Sequence, residues 1–263
     1  MKNELLLLAG SDIPFPEARV TIHQPTLKEI GYIGEKAFFM GCGFLDFSKN
    51  LLNETDKTRL DKYDDFDILM SIMVNGENAA KNTIEYALSV LSLIFPLYEV
   101  SVRKDTVAII LTKDEQEFYI DKTNFSKFKD VIVTMFNLNP GGSDSDKYNP
   151  QGDMATRIAE KFKKRQEQLN KAKEEIDPEK GVSILSRYAS ILAVGLQKDL
   201  NDLMQYTVYQ LYDEFQRFQL KIQWDAYIQA RMAGAKDLEE VDNWMIDLKK
   251  QGQNKQKINK NKK

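Results

Sequence analysis

The sequence predicts an α+β protein that is mostly helical, with N-terminal helices and a small antiparallel meander, followed by an all-α C-terminal domain. Hydrophobic spacing changes from helical to alternating and back before residue 139, whereas every periodic segment after residue 153 has helical spacing. Between them, residues 139–153 concentrate Pro, Gly, Asn, Asp and Ser, which is typical of a linker. We therefore expect an N-terminal domain over 1–138, a linker over 139–153, a helical domain over 154–250 and a disordered Lys-rich tail over 251–263.

The first elements follow from local signals. A short β-like run at 18–23 precedes Thr26, and Thr26 forms an S/T-x-x-E capping box with Glu29. A helix should therefore begin at Thr26. Several glycines between residues 31 and 43 blur the next helix ends, but the apolar residues there favour a second buried segment.

Two buried helices and a meander complete the first half. The helices are expected at 65–74 and 78–95, separated by an Asn-Gly pair and ended by a proline. The period then changes to alternation, which predicts three antiparallel strands, at 97–102, 106–111 and 117–120. A helix at 124–138 should pack on this sheet, because five apolar side chains share one of its faces. These are Phe125, Phe128, Val131, Ile132 and Met135.

The second half shows only helical patterns. Residues 153–173 are thinly apolar and suggest a spacer helix, and a helix over 183–194 should stop at Gly195. The apolar side chains of that second helix at helical spacing are Ile184, Tyr188, Ile191 and Leu192. A short turn at 199–205 leads to Thr207, whose capping box opens the longest pattern in the chain, ending at Gly234. A last helix should begin at Asp237, with one apolar stripe of Leu238, Val241, Met245 and Leu248.

Composition excludes several classes of protein. The 263 residues are 42% apolar and 29% charged, which fits neither a disordered nor a fibrous chain. The single Cys excludes a disulfide framework, and with the single His it leaves no ligand set for a structural zinc. We expect no metal and a reducing cytosol as the compartment.

Charge and hydropathy limit the partners. Residues 251–263 hold five Lys and no acid, so the other 250 residues carry 32 basic and 40 acidic groups, a net of −8. This acidic body does not favour nucleic acid as a partner, and the basic tail is expected to be a solubilising end. The longest uncharged stretch, 86–98, is 13 residues and contains a proline, whereas a bilayer span needs about 20. The leucine run at 5–8 is too short for an export signal, so we expect neither a membrane anchor nor export.

Sequence signatures of catalysis are missing. The chain has no G-x-x-x-x-G-K-[ST] loop, no H-E-x-x-H and no G-x-S-x-G, so we expect neither an enzyme nor a cofactor. Cys42 and His23 are the minimal pair for covalent catalysis and keep an enzyme open as an alternative. The competing interpretation is a buried structural thiol, which is commoner for a lone Cys.

Two acidic clusters also have both a functional and a structural interpretation. Asp144, Asp146 and Asn149 resemble part of a calcium loop, but the fifth and sixth loop positions lack the required Asp/Asn and Gly. A second cluster precedes an apolar run, where the helix dipole favours carboxylates. It consists of Asp61, Asp64, Asp65 and Asp67. A helix start explains this second cluster, while paired-carboxylate chemistry stays open.

The helix from Thr207 has two apolar faces. One is the expected core face, made of Val208, Leu211, Tyr212, Phe215, Phe218 and Ile222. The opposite face is made of Leu220, Trp224, Tyr227 and Ile228. Either the neighbouring helices cover this second face, or part of it binds another protein, since interfaces favour exposed aromatic residues.

Three stretches of the sequence stand out beside the two-part layout, at 22–35, 207–218 and 230–235. Together these features resemble the tail-assembly chaperones of tailed bacteriophages, the two-domain type made by frameshifting. The resemblance implies a transient assembly factor in the cytoplasm of the infected bacterial host. Its first domain would coat the tape-measure protein, and its helical domain would recruit tail-tube subunits. The linker at 139–153 lies where a frameshift junction would fall.

The leading hypothesis is therefore a non-enzymatic phage tail-assembly chaperone that binds the tape-measure and tail-tube proteins through Leu220, Trp224, Tyr227 and Ile228. A homo-oligomer stays open. The first alternative is a structural virion protein of the tail, neck or head-completion region. The second is an enzyme that uses Cys42 and His23 or scattered carboxylates.

Overall fold

The computed structural model describes residues 3–47, 62–75, 81–103, 107–138, 183–234, 241, 243–246 and 248. It confirms an α+β fold with two small antiparallel sheets and a helical C-terminal region. The helices are α1 (Glu4–Ala9), α2 (Leu27–Ile33), α3 (Glu35–Leu45), α4 (Asp65–Asn75), α5 (Lys81–Ile94), α6 (Phe125–Met135), α7 (Ile184–Leu196), α8 (Leu200–Leu203) and α9 (Val208–Met232). The strands are β1 (Ile13–Phe15), β2 (Val20–Ile22), β3 (Glu99–Arg103), β4 (Ala108–Lys113) and β5 (Gln116–Ile120).

The predicted start of α2 is confirmed in detail. The Thr26 hydroxyl accepts the Glu29 backbone N–H at 3.2 Å, and the Glu29 carboxylate accepts the Thr26 backbone N–H at 2.7 Å. This reciprocal pair satisfies N–H groups that have no partner inside the helix. Two elements before it were not predicted, the short helix α1 and the strand β1, which pairs with β2.

The predicted meander is also confirmed. Strands β3, β4 and β5 pair antiparallel in chain order, with Val100 opposite Leu111 and Leu111 opposite Phe118. Helix α6 follows, and it buries Phe125, Phe128, Ile132 and Met135 as the pattern indicated, while Val131 is half-buried.

Helix α7 differs from the prediction at its end. Gly195 does not stop the helix, which continues to Leu196 and ends at Gln197 in the left-handed conformation. Gly195 is required for another reason. A Cβ there would overlap the ring of Phe218, so glycine lets this ring on α9 reach the α7 backbone.

The predicted last helix is wrong in its described part. Residues 243–246 form a turn in which the Ile246 N–H donates to the Asn243 carbonyl at 3.0 Å. The Asn243 side chain accepts the Met245 N–H at 2.9 Å, and such a local bond competes with helical pairing. The predicted helix start at 237–240, the linker at 139–153 and the spacer at 153–173 lie outside the described residues.

The described parts of the two halves contact each other directly. The backbone N–H groups of Leu27 and Lys28 donate to the carbonyls of Tyr206 and Met204, at 2.8 and 2.9 Å. Most buried apolar side chains of both halves belong to one hydrophobic cluster, which runs from Leu7 to Phe215. The boundary between the halves lies outside the described residues, so the division into two domains stays a prediction.

Candidate interaction surface

The core face of α9 is buried for about its first two turns and then becomes exposed. Val208, Leu211 and Phe215 are buried, and Phe218 is half-buried against Gly195. Ile222 was expected on this face but is 52% exposed. Helix α7 covers this face through Tyr188, which stacks on Phe215, and through Gly195, which lies against Phe218. Ile222 lies one turn beyond Phe218, past the end of this contact.

The opposite face of α9 is buried at one position and half-buried at three. Leu220 is only 3% exposed, whereas Trp224, Tyr227 and Ile228 are half-buried. Arg217, one turn before Leu220, donates from Nη1 to the Ile246 carbonyl at 3.5 Å, so the turn at 243–246 approaches this side of α9. The four predicted partner-binding residues therefore do share one face, and their role in binding stays a prediction.

The aromatic part of this face is held by local contacts. The rings of Trp224 and Tyr227 lie 5.9 Å apart, and the Arg231 guanidinium lies 5.6 Å from the Tyr227 ring centroid. Arg231 also donates to the Tyr227 hydroxyl at 3.2 Å. A cation over an aromatic face stabilises that ring in place. Tyr227 thus has partners within its own helix.

Helix α7 has an apolar face that points outward. Leu185, Ala189 and Leu192 are buried, while Ile184 and Ile191 point outward. Together with Val194 they form what we term the α7 face. Their exposed fractions are 48% for Ile184, 37% for Ile191 and 81% for Val194.

The α7 face sits on a firmly anchored helix. The Tyr188 ring stacks on Phe215 at 3.9 Å between centroids, and it meets Tyr212 edge-on at 5.5 Å. Burial raises the pKa of Tyr212 to about 12, and the nearby Tyr188 and Glu35 act in the same direction. The aromatic contacts fix the inward side of α7, so its outward side chains keep a defined arrangement.

The N-terminus of α7 is capped from the other half of the chain. The Glu35 carboxylate accepts the N–H groups of Ile184 and Leu185 at 2.6 and 3.2 Å, and it also accepts the Ser183 hydroxyl. The Ser183 Oγ in turn accepts the Ser186 N–H at 3.0 Å. A carboxylate at this position is favoured by the helix dipole as well as by hydrogen bonding.

The two residues of the enzyme alternative lie in different surroundings. Cys42 is fully buried in α3, and this burial raises the pKa of its thiol far above the ordinary value. The reactive thiolate is therefore strongly disfavoured. His23 is partly exposed, with Nδ1 2.9 Å from Asp12 Oδ1 and Nε2 3.4 Å from Glu29 Oε2.

The described carboxylates of the acidic cluster lie at the start of α4. Asp64 Oδ1 accepts the Asp67 N–H at 2.8 Å, and Lys122 lies 2.8 Å from Asp64 and 2.7 Å from Asp67. Burial acts to raise the pKa of Asp64, but the bonds from Lys122 and Asp67 outweigh it and lower the pKa. Asp61 and the calcium-like positions 144, 146 and 149 are not among the described residues.

The described part of the chain has neither a metal-binding cluster nor a membrane-spanning helix. They contain no group of three or more His, Cys, Asp or Glu side chains arranged to hold a metal ion. No described helix has the length and apolar character needed to cross a membrane.

Comparison with known proteins gives one result, and it concerns the region that carries both apolar faces. Residues 178–249 match the YomV second domain, a domain family of phage origin. No curated protein and no solved structure gives a significant match. We refer to residues 178–249 as the YomV-like region. It contains α7, α8 and α9, and hence the α7 face and the second face of α9.

Proposed function

We propose that this chain is a phage tail-assembly chaperone without enzymatic activity, which binds the tape-measure protein and helps to recruit tail-tube subunits in the cytoplasm of the infected host. The observation that carries the proposal is the outward apolar surface of the YomV-like region. On helix α7, Val194 is 81% exposed and Ile184 is 48% exposed.

The chemistry of the tape-measure protein explains why such an assembly factor is needed. A tape-measure chain is long, helical and partly apolar, so its uncovered surface would associate wrongly before tube subunits arrive. A chaperone needs an apolar surface that binds its partner reversibly, on a body that remains soluble. The acidic body, with a net charge of −8 over residues 1–250, suits that requirement.

The buried state of Cys42 supports a binding role over the enzyme alternative. A nucleophilic thiol must be accessible and partly ionised, and Cys42 is 0% exposed with a raised pKa. The second residue of that pair, His23, lies within hydrogen-bond distance of two carboxylates.

Co-expression with the tape-measure protein of the same phage tests the proposal. We expect the tape-measure protein to be insoluble alone and soluble in a complex with this chain. If it stays insoluble in the presence of the chain, the proposal fails. Mass spectrometry of purified phage particles distinguishes the chaperone from the alternative of a structural virion protein. Many copies per particle would identify a structural component, whereas a chaperone should be absent or scarce.

A further inference from the structure

The α7 face lies on a helix with very little charge. Of the 13 residues of α7 only Arg187 is charged, although the helix has an exposed side along its whole length. A helical wheel places Arg187 between Ile184, Ile191 and Val194 on the outward stripe. A solvent-facing stripe is ordinarily polar, so this stripe is suited to contact with another molecule.

Arg187 is exposed and forms no ion pair within the described residues. A guanidinium in the middle of an apolar stripe selects a partner that brings a carboxylate to that point. The exposed aliphatic side chains on either side of Arg187 select a partner with apolar side chains at the spacing of a helix.

We infer that the α7 face binds a single amphipathic helix of a partner protein, which carries an apolar stripe and a carboxylate opposite Arg187. This inference rests on the proposed function and specifies which surface binds the tape-measure protein. An α7 helix of 13 residues is about 20 Å long, far too small to supply the roughly 800 Å² per partner of a stable dimer. The area of the α7 face matches the contact between two single helices. Such a small contact area favours release of the partner when the tube subunits arrive.

Charge argues against two other occupants, a second copy of the chain and the chain's own C-terminal tail. Two copies packed antiparallel about residue 189 would bring their Arg187 side chains within roughly 6 Å along the helix axis, and like charges there oppose pairing. The chain's own tail at 251–263 holds five Lys and no acid, so it cannot supply the carboxylate. A partner helix with Asp or Glu meets both requirements.

Binding to two designed helical peptides tests the inference in the full chain. Both carry the same apolar stripe, and one places Glu and the other Lys at the position opposite Arg187. We expect the Glu peptide to bind more tightly, Val194→Glu to weaken it by about ten-fold or more, and Arg187→Glu to reverse the preference between the peptides.

Met232→Glu is the matched control. Met232 is 83% exposed against 81% for Val194, and both residues lie in the last turn of their helices, so the helix dipole affects the two variants alike. Met232→Glu should leave binding within about two-fold of the parent, and both variants should keep its melting temperature.

Several results would overturn the inference. These are equal weakening by both variants, no effect of Val194→Glu, and a charge preference that survives Arg187→Glu. A dimer that Val194→Glu converts to a monomer would assign the face to a second copy, and peptide binding that appears only after deletion of residues 141–182 would assign it to the chain itself.

Co-expression distinguishes this inference from the proposed function. If the parent and Val194→Glu both keep the tape-measure protein soluble, the surface is wrongly assigned and the chaperone role stands. If the parent fails to do so, the chaperone role fails, and the peptides still report whether the α7 face binds a helix.

Discussion

Thr26 and Thr207 pair with each other in an antiparallel β-bridge, and each is the N-cap of its own helix with its own capping box. The Gln210 of the second box also donates to the Leu8 carbonyl at 2.9 Å, which connects α9 to α1. Two helix starts that are 181 positions apart thus form one junction between the halves of the chain.

This junction predicts coupled losses of stability. Thr26→Ala and Thr207→Ala should each lower the free energy of unfolding by about 1 kcal/mol, because each removes a helix cap. The double variant should lose an amount that differs from the sum, because the two residues are in contact. Urea unfolding of the four proteins measures the coupling. Strictly additive losses would mean that the bridge does not couple the two caps.

Glu29 should make stability depend on pH in the acid range. Burial acts to raise the pKa of Glu29, but hydrogen bonds from Thr26 and His23 outweigh it, and the net pKa lies below the ordinary 4.5. A lowered pKa stabilises the fold above the unfolded-state value, and the contribution is lost as pH falls through the folded-state value. We expect Glu29→Gln to destabilise the protein near neutral pH and to remove this part of the acid dependence.

Urea unfolding between about pH 3 and pH 6 checks the expectation for Glu29, with Glu85→Gln on the exposed side of α5 as the control. The difference between the parent and Glu29→Gln should shrink towards low pH. A difference that stays constant over this range would show that the carboxylate charge does not contribute.

Glu35 should matter for α7 although it lies 148 positions before Ser183. Glu35→Ala removes the acceptor for two backbone N–H groups and a hydroxyl, and the expected cost is about 1–3 kcal/mol. Glu35→Gln keeps the shape and one acceptor and should lose less. Hydrogen exchange of the first turn of α7 should accelerate in Glu35→Ala. Unchanged exchange there would exclude the capping role.

Gly195→Ala should destabilise the protein, because the added methyl group overlaps the Phe218 ring. Overpacking of this kind costs about 1–3 kcal/mol. Gly43 in α3 is the control, since a Cβ there meets nothing within 4 Å. Gly43→Ala should stabilise by about 0.5–1 kcal/mol through helix propensity alone. Melting temperatures that move in the same direction for the two variants would contradict the packing account.

Local signals in the sequence predicted the elements that depend on neighbours in the chain. The boxes at Thr26 and Thr207 and the alternation of the meander act over a few residues, and the structure has all of them. Helix α1 was missed because four consecutive leucines define no face. Strand β1 was missed because Pro14 argues against a strand, although an edge position tolerates it.

The surface depends on contacts that local pattern does not contain. Gly195 looks like a helix stop until Phe218 is placed against it. Helix α7 is apolar on both sides, so spacing alone could not decide whether Ile191 or Leu192 faces the core. The low charge of α7 was the signal in the sequence that could have indicated an outward apolar face. A helix that is apolar on all sides must be covered on all sides, and one uncovered side leaves an exposed apolar face.

Complementation of a phage that lacks this gene tests most directly whether the protein acts through its apolar surface and not through reactive groups. Cys42→Ala and His23→Asn should each restore plaques, whereas Val194→Glu should reduce plating by at least about ten-fold with the protein still soluble and folded. Full plating by Val194→Glu together with loss of plaques in Cys42→Ala, at an unchanged melting temperature, would contradict the account.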